Sequence, residues 1–187
     1  MTWLRWSAAA VLLMGCNIGS DLNSATSRVR LHLTDAPAPD IESAMVWISS
    51  AYLTPGSDSG SRVVVTDEPQ EYDLLELQDG VTALLGDADV PAGEYAQLRL
   101  VVDSARLTLA AGFTFADGST TKSLKVPSGG QSGIKVSFPG QLNLTEDTDV
   151  VIDFDVATNF VFQGPPAGPF GVLFTPHLKG SVQPLQP

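Results

Sequence analysis

Three aspartates, Asp149, Asp153 and Asp155, alternate with apolar residues in the segment Thr148–Val156. Alternation with a period of two is typical of a β-strand that has one face in a hydrophobic core and the other near solvent. The segment therefore predicts a strand with an acidic face and a buried apolar face that includes Phe154. Carboxylates in such an array bind a cation or pair with a basic side chain, and the sequence leaves both alternatives open.

Calcium is the metal that suits this acidic face, because it prefers six to eight oxygen ligands. Residues two apart on one strand face lie about 7 Å apart, so a single strand cannot supply the whole coordination shell. A neighbouring loop, such as the one with Asp35 or Asp103, would have to complete it. We therefore assign no metal site and no cofactor, and keep calcium as an alternative with Asp149, Asp153 and Asp155 as its candidate ligands.

The competing interpretation is a structural ion pair between Arg99 and the acidic face. Arg99 lies in the alternating segment Glu94–Asp103, on the side opposite its leucine neighbours. If the two predicted strands share a sheet, the guanidinium can form a bidentate pair with Asp153 or Asp155. Arg99, Asp153 and Asp155 are therefore the candidates for a structural ion pair.

Catalytic motifs are absent from the sequence. The two histidines, His32 and His177, lie on separate predicted strands, and Gly130–Gly133 (GQSG) lacks the G-x-S-x-G spacing of a nucleophile elbow. One cysteine and two dispersed histidines also argue against zinc. We predict that the protein is not an enzyme and assign no catalytic residue, with a hydrolase as a remote alternative.

The N-terminus has the layout of a signal peptide. Ser7–Met14 is an apolar run too short to span a bilayer, and Leu13–Cys16 (LMGC) resembles the lipobox of bacterial lipoproteins. This predicts a signal peptide over residues 1–15, lipidation of Cys16 by acyl chains such as palmitate, and a flexible tether over residues 16–27. The alternatives are an ordinary secretory signal with a chance cysteine, or a buried apolar helix.

The charge and the cysteine content argue against a nucleic-acid-binding protein and against a disulfide-stabilised one. The formal net charge of −11 would repel a phosphate backbone, which argues against nucleic-acid binding. Cys16 is the only cysteine, so no intramolecular disulfide can form. We predict a lipid-anchored protein of the cell envelope, on the outer membrane and facing the periplasm or the cell surface if the cell is Gram-negative.

The elements that must position these residues are predicted to be strands. Nine or ten short alternating segments separated by turn residues indicate one all-β domain over residues 28–187, an antiparallel β-sandwich. Residues 71–85 lack the strand pattern and predict one short helical or loop segment.

Six groups of residues occur in an order and spacing that resemble the family called domain of unknown function 4382. They are Leu33–Pro37 (LTDAP), Asp73–Leu75 (DLL), Pro91–Tyr95 (PAGEY) with Arg99 and Leu100, Val126–Gly129 (VPSG) with Gly133, Asp153–Asp155 (DFD), and Thr175 with Pro176. The resemblance covers roughly residues 28–182. It implies a prokaryotic envelope protein, often behind a lipobox, with a sandwich of the prealbumin or carboxypeptidase-regulatory type. It implies no established activity.

The function that fits these observations is binding or scaffolding by a membrane-anchored module, with an unknown envelope protein or glycan as partner. A calcium-dependent or glycan-binding adhesion module is the alternative, and a purely structural envelope component is another. Glycan binding would need exposed aromatic side chains. The available ones are Trp47, Tyr52, Tyr95, Phe160, Phe162 and Phe170.

Overall fold

The computed structural model describes residues 25–56, 60–126, 132–163 and 171–185, which form thirteen strands and two short helices. The strands are β1 (Thr26–Thr34), β2 (Ile41–Pro55), β3 (Val63–Thr66), β4 (Gln70–Asp73), β5 (Ala83–Pro91), β6 (Gly93–Leu109), β7 (Thr121–Leu124), β8 (Ile134–Ser137), β9 (Leu142–Leu144), β10 (Thr148–Asp153), β11 (Phe160–Gln163), β12 (Gly171–Phe174) and β13 (Leu178–Pro184). The helices are a 3₁₀ helix (Leu74–Leu77) and α1 (Val156–Asn159).

Eleven strands form one mixed sheet, in the order β3-β2-β6-β8-β13-β10-β1-β5, with β4 paired to β2 and both β7 and β9 paired to β6. The sheet curls until it nearly closes into a barrel, and β11 and β12 form a separate two-stranded ribbon. The all-β class is confirmed. Two packed sheets were expected from the sequence, but curling lets one large sheet enclose its own core. The more specific prealbumin-type sandwich stays a prediction.

Two strand pairs are parallel, which the prediction of an antiparallel fold missed. β1 pairs in parallel with β10, in a register that places Thr34 beside Asp153, and β13 pairs in parallel with β8. The prediction considered connections between consecutive strands, whereas β1 and β10 are joined through most of the domain. Because the two strands run in the same direction, their carboxyl ends meet at one edge of the sheet.

The two ends of the nearly closed sheet, β3 and β5, meet through side chains and not through a hydrogen-bond ladder. The backbone of β5 lies close against β3 at Gly86. A side chain at this position would bring its Cβ to 3.0 Å from the Cβ of Thr66, so only glycine leaves room for this contact. The Gln70 side-chain amide donates to the Leu85 carbonyl at 3.4 Å, and the Tyr72 hydroxyl lies 3.1 Å from the Leu84 carbonyl oxygen. β4 therefore satisfies part of the free edge of β5.

The core follows the alternation that the sequence predicts. In β2, Ala44, Val46 and Ile48 point inward, and after a register shift next to Ile48 the inward residues become Ala51 and Leu53. In the sequence, the apolar residues of Ile41–Leu53 do not keep one period of two. The bulge explains this, because one extra residue reverses the faces of the residues that follow.

Phe154 and Ile152 are fully buried, as predicted. Three boundaries differ from those expected. β10 ends at Asp153, so Asp155 does not lie on the strand. Residues 71–85 hold the predicted helical turn but have strand residues at both ends, since β4 and β5 flank it. β1 begins at Thr26, inside the predicted tether.

Candidate functional site

Asp149 is buried on the outer side of the sheet and is held by two side chains of β1. Arg30 donates from Nε to one carboxylate oxygen at 2.7 Å and from a terminal nitrogen to the other at 3.0 Å. The ring of His32 lies 3.4 Å from the same carboxylate. The parallel register places Arg30 directly beside Asp149, which makes this bidentate pair possible. The pKa of Arg30 is raised by its hydrogen bond to Asp149.

Asp35 is buried to the same degree, but it lies at the other end of this strand pair and has different partners. Its backbone N–H donates to the Leu77 carbonyl at 2.9 Å, which fixes the residue against the 3₁₀ helix. Its Oδ1 accepts the backbone N–H of Val156 at 2.7 Å. Its Oδ2 is buried and has no hydrogen-bond partner among the residues that the structure describes. We call Asp35, Asp153, Asp155 and Asn159 together the Asp35 junction.

Burial raises the pKa of Asp35 to about 6. The backbone N–H groups of Val156 and Ala36 act in the opposite direction, because they stabilise the ionised form. The negative charges of Asp153 and Asp155 raise the pKa further. The Asp35 carboxyl group therefore changes between its protonated and ionised forms near pH 6, whereas an ordinary aspartate is already ionised at that pH.

Asp153 and Asp155 organise the turn that follows β10. The Asp153 Oδ1 accepts the backbone N–H of Asp155 at 3.0 Å. Asp155 has a left-handed backbone with φ of 44°, and its side chain caps α1 by accepting the N–H of Thr158 at 3.2 Å. Aspartate tolerates this conformation better than most residues, which fits its place here. Lys179 of β13 approaches the Asp155 carboxylate at 4.0 Å.

Asn159 connects this turn to the strands beyond it, and its side chain is fully buried. Its amide nitrogen donates to the Phe154 carbonyl, and its amide oxygen accepts the backbone N–H of His177 at 2.6 Å. Its own carbonyl accepts the N–H of Thr175 at 2.8 Å. Asn159 thereby ties the start of β11 to the segment that follows β12.

The structure does not bring Arg99 to Asp153 or Asp155, and the predicted ion pair is wrong. Arg99 donates from Nε to the Gln97 side chain at 2.8 Å, and from Nη1 to the carbonyls of Ser132 and Gly133 at 2.8 and 3.2 Å. β8 and β13 separate the strand of Arg99 from β10. The guanidinium holds a backbone segment, and Arg30 is the arginine that pairs with this acidic face.

The three candidate calcium ligands are likewise divided. Asp149 lies with Arg30, whereas Asp153 and Asp155 lie at the Asp35 junction. Asp103, which was considered as a completing ligand, accepts the Ser49 hydroxyl at 2.9 Å. Across residues 25–56, 60–126, 132–163 and 171–185, no group of three or more histidine, cysteine, aspartate or glutamate side chains is placed to hold a metal ion.

The histidines take part in no assembled catalytic triad within the described ranges. His177 is exposed, and its Nδ1 lies 3.0 Å from the Thr175 carbonyl oxygen, while His32 faces Asp149. No hydrogen bond joins a serine hydroxyl to either ring in the part of the chain that the structure covers. Gly130 and Gln131, and Cys16 with the rest of the signal segment, lie outside the described residues.

Three of the six aromatic residues proposed for a glycan platform are buried. Tyr52, Tyr95 and Phe160 are buried, and Phe160 stacks on Phe174 with ring centroids 4.9 Å apart. Trp47 is half-buried, and the guanidinium of Arg106 lies over its ring at 5.0 Å. Phe162 is half-buried, and Phe170 lies outside the described residues.

Comparison with protein families places this chain in one of them. A family model described as Domain of unknown function (DUF4382) matches residues 26–167, which is more than half of the sequence. The chain belongs to this family. No curated protein and no solved structure matches it. The resemblance expected from the six residue groups is confirmed, and DUF4382 membership brings no activity with it.

Several of the DUF4382 residue groups meet at the Asp35 junction. Thr34 accepts the Phe154 N–H at 3.0 Å through its carbonyl, and Asp73 caps the 3₁₀ helix by accepting the Leu75 N–H at 3.1 Å. That helix in turn supplies the Leu77 carbonyl to Asp35. Residues far apart in the sequence therefore support one structural unit.

In the described part of this DUF4382 chain, no helix is long and apolar enough to span a membrane.

Proposed function

We propose that this DUF4382 chain is a lipid-anchored module of the cell envelope that binds or scaffolds a protein partner through the ribbon formed by β11 and β12. The observation that carries the proposal is the exposed outer face of this ribbon. Val161 is 44% exposed and Leu173 is 48% exposed, and the two residues lie directly opposite each other in the antiparallel register. Together they present an aliphatic pair to solvent.

The inner face of the ribbon gives this surface a firm support. Phe160 and Phe174 are buried and stacked, and Val172 is buried beside them. Asn159 fixes the base of both strands through its contacts with Thr175 and His177. Sheet alternation gives the ribbon a packed inner face and an aliphatic outer face. The outer face offers another protein an apolar contact surface on a firm support.

A protein partner suits this surface better than a glycan. Sugar platforms use exposed aromatic rings, whereas the exposed pair on the ribbon is aliphatic and the stacked aromatic pair is buried. Calcium-dependent adhesion would need the three aspartates to share a site, and they are divided between two places. Binding without catalysis also fits the separate surroundings of His32 and His177.

The anchor is the second part of the proposal and rests on the sequence around Cys16. An apolar run followed by Leu-Met-Gly-Cys supports cleavage before Cys16 and acylation of its thiol. More than one acyl chain is needed for stable membrane attachment, and lipoprotein processing supplies that number. We expect Cys16→Ser to shift the full-length protein from the membrane fraction to the soluble fraction. Wild-type protein that partitions into the aqueous phase of a detergent extraction would contradict the anchor.

The ribbon surface is tested by photocrosslinking in intact cells of the source organism. A photoreactive amino acid at position 173 should give a discrete adduct, and Val161→Lys in the same chain should abolish it. The matched control carries the photoreactive group at position 182, where Val182 is similarly exposed at 45% but lies on β13. Adducts that are identical from both positions, or no adduct from position 173, would contradict the ribbon as the contact surface.

A further inference from the structure

We propose that Asp35 holds the base of the β11/β12 ribbon in a pH-dependent way, and we call this contact the latch. The packing at the ribbon base is more stable when the Asp35 carboxyl group is protonated and less stable when it is ionised. The latch itself is a property of this chain alone. Its consequence for partner binding rests on the function proposed above.

The latch begins with a carboxyl group whose two oxygens have unequal partners. Asp35 is 7% exposed, and Oδ1 holds the backbone N–H of Val156 at 2.7 Å across a sequence separation of 121 residues. Oδ2 is buried without a partner among the residues described. A buried carboxylate oxygen without a donor is unfavourable, whereas a protonated one can itself donate a hydrogen bond.

The charged groups around Asp35 favour the protonated form. Asp153 and Asp155, on the strand end and turn packed against it, are both negative and both oppose its ionisation. The nearest cation of β13 is Lys179, which is largely exposed and approaches Asp155 rather than Asp35. The 3₁₀ helix contributes buried Leu74 and Leu77 to this region, while its acidic residue, Glu76, is exposed.

The contact with Val156 links this carboxyl group to the ribbon. Val156 is the first residue of α1, and Asn159 at the other end of that four-residue helix binds the backbone on the far side of β12. The partner of Asn159 there is His177, whose backbone N–H donates to the Asn159 side-chain oxygen. The Val156 N–H by itself favours the ionised carboxylate, but burial and the charges of Asp153 and Asp155 together outweigh it. Ionisation therefore favours movement of the Asp35 carboxyl group out of its buried position, and that movement breaks the Asp35–Val156 contact at the base of both ribbon strands.

Protonation changes the balance at this point. With Asp35 neutral, the buried carboxyl group carries no charge and the junction holds two negative charges. With Asp35 ionised, three carboxylates share the junction, and Oδ2 has no donor among the residues that the structure describes. The pKa of about 6 places this change between mildly acidic and neutral pH.

Hydrogen exchange measured by mass spectrometry on the complete chain tests the latch without any partner. For wild type we expect amide protection of β11 and β12, corrected for the intrinsic effect of pH on exchange, to be about tenfold higher near pH 5 than near pH 7.5. Asp35→Asn keeps an acceptor for Val156 and cannot ionise, so its protection should be the same at both pH values. Asp103→Asn is the control, and it should keep the wild-type difference.

Asp153→Asn supplies an independent test that leaves Asp35 in place. Removing one neighbouring negative charge should move the midpoint of the protection change to lower pH. Equal wild-type protection at both pH values, or an unchanged pH dependence in Asp35→Asn, would overturn the latch. Such a result would leave the photocrosslinking test of the ribbon surface unaffected, so the two proposals fail separately.

Discussion

Asp149 and Asp35 lie at opposite ends of the paired strands β1 and β10, and they are 6% and 7% exposed. Asp149 meets the bidentate guanidinium of Arg30 and the ring of His32. Asp35 meets backbone N–H groups, an adjacent pair of aspartates, and no cation among its described partners. The same residue type at the same depth therefore has two different electrostatic environments.

The difference shows how a fold offsets the cost of burying a carboxyl group. At Asp149 a neighbouring cation stabilises the charged form, so the pair can remain ionised in place. At Asp35 the surroundings disfavour the charge, and a proton is the partner instead. The first arrangement makes a fixed structural cross-link between strands, and the second makes the stability of a junction depend on pH.

The largest expected effect comes from removing the ring that supports the Asp35 end. Phe154 is fully buried and its backbone N–H joins β10 to Thr34. Phe154→Ala should lower the free energy of unfolding by about 3–5 kcal/mol, since it leaves a cavity the size of an aromatic ring. Chemical denaturation measures the loss, and Leu173→Ala on the exposed ribbon face is the control. A loss below about 1 kcal/mol would show that the ring does not pack as described.

The next effect tests the cation-paired side of the comparison. Asp149→Asn should lower the free energy of unfolding at neutral pH by about 1.5–3 kcal/mol, because it removes the charged acceptor of two Arg30 hydrogen bonds. Asp87→Asn is the matched control, since Asp87 forms the same bidentate pair with the more exposed Arg28. Equal losses in the two variants would mean that burial adds nothing to the Asp149 pair.

At neutral pH, Asp35→Asn should raise the free energy of unfolding, whereas Asp149→Asn should lower it. A raised pKa means that the folded state binds the proton more tightly than the unfolded state, so stability falls as pH rises from about 4 to about 6. Above that window Asp35→Asn should be more stable than wild type by about 1–2 kcal/mol, after allowance for solvent screening. Near pH 4 the two proteins should be equally stable. Denaturation at both pH values measures this, and a less stable variant near pH 7.5 would contradict the assignment.

The smallest effect concerns calcium. Because the three candidate aspartates are divided between two sites, millimolar calcium should change the melting temperature of wild type by less than about 2 °C. Differential scanning calorimetry with magnesium as the control measures this change. An increase above about 10 °C that Asp153→Asn abolishes would show that the carboxylates assemble around a metal.

The sequence predicted those features that depend on local pattern. The alternation in Arg28–Thr34 and around Ile152 identified the buried faces of β1 and β10, because a period of two fixes the side of the sheet for each residue. The mixed period of Ile41–Leu53 is typical of a strand that is buried on both sides or of one with a bulge, and the structure has the bulge. The residue groups that carry the family resemblance predicted membership correctly.

The partners of the polar residues could not be predicted in the same way. Arg30 and Asp149 are 119 residues apart, and their contact depends on a parallel register that no local pattern encodes. Arg99 was the more obvious candidate only because two strand faces alone cannot show which strands are neighbours. Asp35 lies in a proline-rich stretch that resembles an exposed loop, and its burial results from packing against the 3₁₀ helix and α1.

The contrast between the two carboxyl groups is tested most directly by a carboxyl-carbon NMR titration of Asp35 in the whole protein, with Asp35→Asn used to assign the signal. We predict a midpoint of about 6 for Asp35. In Asp153→Asn the midpoint should move to lower pH, because one of the two neighbouring negative charges is removed. A wild-type midpoint near the ordinary value of about 3.9 would show that this carboxyl group is solvated or paired like any other, and would contradict the account.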